Sequence, residues 1–269
     1  MSGIKVRLNS VEPIIKAYRV RPDNIQSADM EQYIIHSSAS RGRARHGWLD
    51  SHHTFSFAGY YDPNRMNFGM LRVLNDDVVE AGQGFGTHPH DNMEIISIPL
   101  EGVLEHRDSM GNVATISEGD IQVMSAGTGI RHSEYNKSRT AKVRFLQIWV
   151  IPNQRNVVPR YDQITLNKAQ LHNNLQLIVA PGATEGAVWI HQDAWFSMGV
   201  FDRGHTASYS WHQPSNGLYI FVISGRLKVG THTLEARDGM GITGLEQIEL
   251  TAETADARVL LMEVPMEMK

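Results

Sequence analysis

With 269 residues, 41% of them hydrophobic and 20% charged, the chain has the composition of a folded protein and room for two ordinary cores. A formal charge of -4 supplies no field to hold a polyanion, and Lys and Arg are scattered apart from the short Arg41 to Arg45 run, which argues against direct nucleic-acid binding. The absence of cysteine excludes disulfides, thiolate metal sites and cysteine nucleophiles, so any transition metal must rest on His and carboxylate. Met1 to Val20 lacks the apolar core of a signal peptide. The longest apolar stretch, Phe145 to Ile151, is interrupted by Gln147 and is too short to span a bilayer. These features predict a cytoplasmic protein without membrane contact.

In chain order, a short helical pattern near Asn24 to Gln32 comes first. From Met70 onward the apolar positions fall in short runs, often alternating, punctuated by Gly, Asn, Asp and Pro. The runs predict strands over Gly69 to Leu74, Met93 to Leu100, Val103 to Asp108, Ile121 to Ser125 and Val143 to Ile151. After a short helix near Leu166 to Leu171, further strands are predicted over Leu175 to Ala180, Ser197 to Phe201, Tyr219 to Ser224, Arg226 to Val229 and Val259 to Val264. This rhythm predicts an all-β sandwich or barrel.

A weak internal repeat divides the pattern. Ile95 to Leu104 can be laid over Leu218 to Leu227 so that Gly102 falls on Gly225, and Glu118-Gly119-Asp120 then meets Asp238-Gly239-Met240. Two copies of one β domain account for this, with coincidence between Gly turns as the alternative. The division expected is an N-terminal extension over 1–40, a first domain over 41–160 and a second over 161–269.

The chemistry concentrates in the first copy. His88 and His90 stand two residues apart at the mouth of a strand, so both imidazoles point to one side. Glycines at 82, 84 and 86 let the backbone bend there. Further on, His132-Ser133-Glu134 repeats the spacing. Two such pairs brought together by strand pairing give three neutral nitrogen donors and one carboxylate, a set suited to Fe(II), Mn, Ni, Cu(II) or Zn. Four protein ligands on an octahedral ion leave two positions for water or substrate. In the second copy the repeat puts Trp211 and Gln213 at the positions of His88 and His90, and Ala252 and Thr254 at those of His132 and Glu134. His212 is one residue out of register. One metal per chain is expected.

Three blocks then resemble the pirin family of bicupins: His46-Gly47-Trp48-Leu49-Asp50-Ser51-His52-His53-Thr54-Phe55-Ser56-Phe57, Gly84-Phe85-Gly86-Thr87-His88-Pro89-His90, and Met124 through Glu134. The resemblance runs from about Arg41 to the C-terminus, strongly up to Gln163. It implies two tandem cupin barrels, each a double-stranded β-helix or jelly-roll, with the metal in the first. The general cupin pattern takes its carboxylate ligand at Glu94 and the pirin pattern at Glu134. Spacing alone does not decide, and the resemblance favours Glu134, leaving Glu94 beside the ligands or as a strand residue.

The resemblance further implies a dioxygenase that cleaves a flavonol such as quercetin, a small aromatic hydroxy-ketone, with O2. Fe(II) is then the expected ion, and Glu134 would double as the catalytic proton acceptor. Phe55, Phe57 and Met124 are candidate pocket walls. Asp50 and His53 either orient a ligand or cap a turn. An alternative from another class is a redox sensor that acts through a regulatory protein partner without turnover. Residues 1–40 have no family counterpart and form either an added strand or a loose tail.

Overall fold

A computed structural model describes residues 32–268. The first strand, β1 (Gln32–His36), is followed by β2 (Gly42–Arg45), β3 (Leu49–His53), β4 (Leu71–Val79), β5 (Gly84–His90) and β6 (Glu94–Glu101). Next come β7 (Val103–Asp108), β8 (Val113–Ser117), β9 (Asp120–Ser125), β10 (Ile130–Asn136), β11 (Val143–Val150) and β12 (Arg160–Thr165). A single helical turn, α1 (Lys168–Leu171), is capped by the Asn167 side chain, which accepts from the Ala169 amide. The second half contains β13 (Gln176–Ala180), β14 (Val188–Trp189), β15 (Trp195–Phe201), β16 (Thr206–Ser210) and β17 (Asn216–Ser224). It ends with β18 (Leu227–Val229), β19 (His232–Leu234), β20 (Gly239–Thr243), β21 (Gln247–Ala252) and β22 (Ala257–Pro265). The helical reading over Asn24 to Gln32 lies outside the described residues except for Gln32, which opens β1.

These strands build two jelly-roll barrels of the cupin type. In the first, a seven-stranded sheet ordered β12-β9-β6-β11-β4-β3-β2 faces a four-stranded sheet ordered β5-β10-β7-β8. In the second, β1-β20-β17-β22-β15-β13-β14 faces β16-β21-β18-β19. β12 lies along β9 of the first barrel, and β1 lies along β20 of the second, with Gln32 opposite Thr243. The stretch Gln32–His36 of the N-terminal extension is thus an added strand.

The two large sheets pack face to face. Ile96, Ile98, Val123, Leu146 and Ile148 of the first meet Phe196, Tyr219, Phe221, Leu260 and Met262 of the second in one apolar core. A sheet covered on both sides needs apolar residues at successive positions, which is why Ile95 to Leu100 shows little alternation. Odd-numbered residues of β6 look into their own barrel, and even-numbered ones look into this shared core.

Inside, the barrels differ. The first has an apolar plug of Leu49, Val79, Leu104, Ile116, Val143 and Phe145 at one end, and a ring of Met93, Ile95, Met124, Ala126 and Ile130 against Trp149 at the other. Between them lies a polar layer containing Ser97, Gln147, Asn75 and His53, which are neighbours across β6, β11, β4 and β3. The second barrel is filled mainly by apolar residues such as Tyr209, Trp211, Leu218, Ile220, Val229, Ile248, Leu250 and Leu261, with a buried carboxylate, Glu263, held by Tyr209 and Asn216.

Candidate metal centre

Strands β5 and β10 run antiparallel with His88 directly opposite His132 and His90 opposite Ile130. The register slips between His132 and Glu134, where Glu134 faces Phe85, so β5 carries a bulge at Gly86-Thr87. That bulge turns the Gly86 carbonyl toward its own neighbour, and His88 Nδ1 donates to it over 2.8 Å. With the proton held at Nδ1, His88 Nε2 is left with a free lone pair. Gly84 permits the close approach of the two strands, since a Cβ there would collide with the Glu134 carbonyl oxygen.

The three imidazoles converge. Their ring centroids lie 4.8 Å (His88 to His90), 4.5 Å (His88 to His132) and 4.9 Å (His90 to His132) apart. His132 Nε2 stands 3.0 Å from His88 Nε2. Two nitrogens bound at about 2.1 Å to one ion at a right angle are separated by about 3.0 Å, so this edge fits a shared cation. His90 Nε2 is buried and has no hydrogen-bond partner, a cost the fold removes only if something binds it. Burial, reinforced by His88, pushes the His90 pKa down to about 3, and burial lowers those of His88 and His132 as well. All three therefore stay neutral, as metal ligation requires.

Glu134, 3% exposed, accepts from Ser97 Oγ at 3.0 Å and from Gln147 Nε2 at 3.2 Å. Burial pushes its pKa up to about 7 despite those two donors. Its oxygen lies within 4.8 Å of ligand atoms of His132 and of a further histidine, His106, so two candidate ligand groups share His132. His106 is fully buried, with Nδ1 3.4 Å from His132 Nδ1 and Nε2 3.0 Å from Asp108 Oδ2. His106, Asp108, Ser97, Gln147 and Trp149 were not singled out from the sequence as site residues. The available signal was a polar residue inside a strand otherwise built for the core, as at Gln147.

Other expected residues lie elsewhere. Glu94 shares the face of β6 with Ile96 and Ile98, opposite to Ser97, and belongs to neither ligand group. It accepts from Ser125 Oγ at 2.7 Å and meets His191 Nδ1 at 3.1 Å, joining the two halves of the molecule. Phe55 is packed in the core between the barrels, 5.5 Å from the Tyr219 ring, so it walls no pocket in the first barrel. Phe57 does lie close to the ligands: its ring meets Trp149 at 5.3 Å, and Trp149 meets His90 at 4.9 Å. Met124 is in the apolar ring beside Trp149. Asp50 binds Arg43 through both oxygens on the exterior, and His53 Nδ1 bonds Asn75 Oδ1 at 2.9 Å in the interior.

The expected correspondence between the copies needs correction. Gly102 and Gly225 do occupy equivalent turns, with φ of +79° and +78°. However, Asp120 matches Asp238, each accepting a backbone N–H from three residues earlier, so the second motif had been set two residues too far along. The loop after β20 is also shorter than the Ala126–Gly129 segment after β9. By strand register the counterparts of His88, His90, His132 and Glu134 are Tyr209, Trp211, Ile248 and Leu250. His212 lies beyond β16 with Nδ1 2.9 Å from Glu263 Oε2.

Two cupin barrels, one with a cluster of convergent histidines and the other filled mainly with apolar side chains, define a bicupin whose candidate metal ligands, among the described residues, all lie in the first barrel. The sequence profile of Pirin matches residues 35–150, and that of the quercetinase C-terminal cupin domain matches residues 177–264. The chain is 44% identical over 233 residues to a quercetin 2,3-dioxygenase of Escherichia coli K12, covering 86% of this chain and 98% of that one. The crystal structure of the bacterial pirin YhhW from Escherichia coli in complex with nickel(II) superimposes with a TM-score of 0.82 at 42% identity, over 87% of this chain and 99% of that one. A quercetin 2,3-dioxygenase from Acinetobacter baumannii shares the fold, with a TM-score of 0.69 at 20% identity and coverage of 88% and 87%. The chain belongs to the pirin family.

Proposed function

We propose that this protein is a metal-dependent dioxygenase that cleaves a flavonol such as quercetin with O2. The observation that carries the reading is the convergence of His88, His90 and His132, with His90 Nε2 buried and unpartnered, beside the apolar cluster of Met93, Ile95, Met124 and Trp149. Relatives named for quercetin dioxygenation support the substrate class.

In this reading His88, His90, His132 and Glu134 hold one divalent ion, with Fe(II) as the working choice and nickel supported by the relative's complex. The bound ion supplies a Lewis acid that favours the hydroxylate form of the substrate. Glu134 accepts the flavonol hydroxyl proton, a role that burial favours by raising its pKa against the lowering effect of a bound cation. Ser97 and Gln147 fix its orientation by donating to its oxygens. Trp149 and Phe57, backed by the buried Met124, present the apolar surface against which the substrate rings lie.

The test is oxygen consumption with quercetin by Fe(II)-loaded protein, beside His88→Ala and Glu134→Gln with metal content measured for each. Turnover in the parent that vanishes in both variants supports the assignment. Stoichiometric metal without oxygen uptake favours the sensor reading, and a folded parent that takes up no metal removes the proposal.

A further inference from the structure

We propose that Asp108 and His106 form a relay that holds a proton on His132 Nδ1 and thereby reserves His132 Nε2 for the ion. The inference rests on the metal-centre reading above and concerns two residues that lie behind it. Asp108 is tied down by its own turn. Its Oδ1 accepts the backbone N–H groups of Met110 at 2.9 Å and Asn112 at 3.1 Å, and its Oδ2 accepts Asn112 Nδ2 at 2.8 Å and His106 Nε2 at 3.0 Å. A carboxylate surrounded by four donors offers only lone pairs, so His106 must carry its proton on Nε2. A neutral imidazole protonated there is bare at Nδ1. The contact between His106 Nδ1 and His132 Nδ1, at 3.4 Å, is then a hydrogen bond only if His132 supplies the proton. That leaves His132 Nε2 bare, facing the bare Nε2 of His88.

The strand geometry makes the relay rigid. On β7 and β10, His132 is the register partner of Asp108, and Glu134 is that of His106. His106 is buried, and the Tyr161 ring from β12 packs over it at 4.8 Å. In the second barrel, where no ligands remain, Val229 takes the place of His106 opposite Leu250, so ligands and relay are absent together. Partners that orient a ligating histidine in this way contribute about 10- to 100-fold to metal affinity. His106 and Asp108 are thus positioning residues that touch neither ion nor substrate.

Two measurements test the relay without any flavonol, so its failure is distinct from failure of the dioxygenase reading. Long-range 1H–15N spectra of the metal-free parent should show His132 protonated at Nδ1 and His106 at Nε2. In a chelator-competition titration with Ni(II) alone, Asp108→Asn should bind about 10- to 100-fold more weakly. Its amide would donate to His106 Nε2, drive the His106 proton to Nδ1 and set it against the His132 proton. His106→Gln, whose amide oxygen can still accept from His132, should retain more affinity than His106→Leu. A parent spectrum with the His132 proton on Nε2 overturns the proposal even if a variant fails to fold. So does Ni(II) affinity in folded Asp108→Asn within about twofold of the parent.

Discussion

The two barrels share strand order, turn glycines and the Asp120 and Asp238 turns, yet their interiors solve opposite problems. At the level of the polar layer of the first, the second is apolar, since Ser97 becomes Ile220, Gln147 becomes Leu261 and Glu134 becomes Leu250, and its buried carboxylate Glu263 is bonded by Tyr209 and Asn216. The jelly-roll therefore needs no ligands to stand. What the first barrel adds at this level is a set of buried polar groups, and beside them His90 Nε2 is a ligand-capable nitrogen with no partner within the protein.

The sharpest way to break this comparison is Leu250→Glu, which puts a carboxylate where Glu134 stands in the other barrel but without its two donors. An unpartnered buried charge should cost about 4 kcal/mol or more, read as loss of soluble folded protein or a collapsed urea midpoint. Leu250→Ala is the milder form. It should cost about 2–5 kcal/mol in urea unfolding and leave Ni(II) stoichiometry at the first barrel unchanged. Loss of Ni(II) binding in that variant would show the barrels to be energetically inseparable.

A smaller effect comes from Asp77, which accepts from Ser51 and whose burial pushes its pKa up to about 7 from an ordinary 3.8. Between these values the folded state holds a proton that the unfolded chain has released. Stability should therefore fall as pH rises through this window, by at most about 1.4 kcal/mol per pH unit from this group. Asp77→Asn should flatten that slope in thermal melts between pH 4 and pH 7, and an unchanged slope would count against a polar cost specific to the first barrel. The smallest effect is expected from Arg43→Ala on the outer face. It removes an exposed pair with Asp50, and Tm and Ni(II) binding should both stay within error of the parent.

Much of this organisation is legible in the sequence because a strand advertises which residues share a face. His88 with His90, and His132 with Glu134, keep that period, and the structure brings the three histidines together. Alternation does not say which face looks inward. Phe55, a candidate pocket wall, and Glu94, left open as a neighbour of the ligands or a strand residue, both serve the contact between the barrels, since the large sheets are buried on both sides. The counterparts in the second barrel were misassigned because register depends on loop length: the loop after β16 is longer than that after β5, and the loop after β20 is shorter than that after β9. His106 was passed over because its meaning comes from pairing with β10, a contact between distant parts of the chain.

The position of β1 has a consequence for synthesis. This strand is made before either barrel, yet its partner β20 follows about 200 residues later, a delay of about 10–40 s at ordinary translation rates. During that time a segment carrying Tyr33, Ile34 and Ile35 has no sheet to join, and the second barrel keeps an open edge until its last strands emerge. The newborn chain thus depends on its beginning to close its end, and the final docking of β1 is a late, long-range event in the life of the molecule.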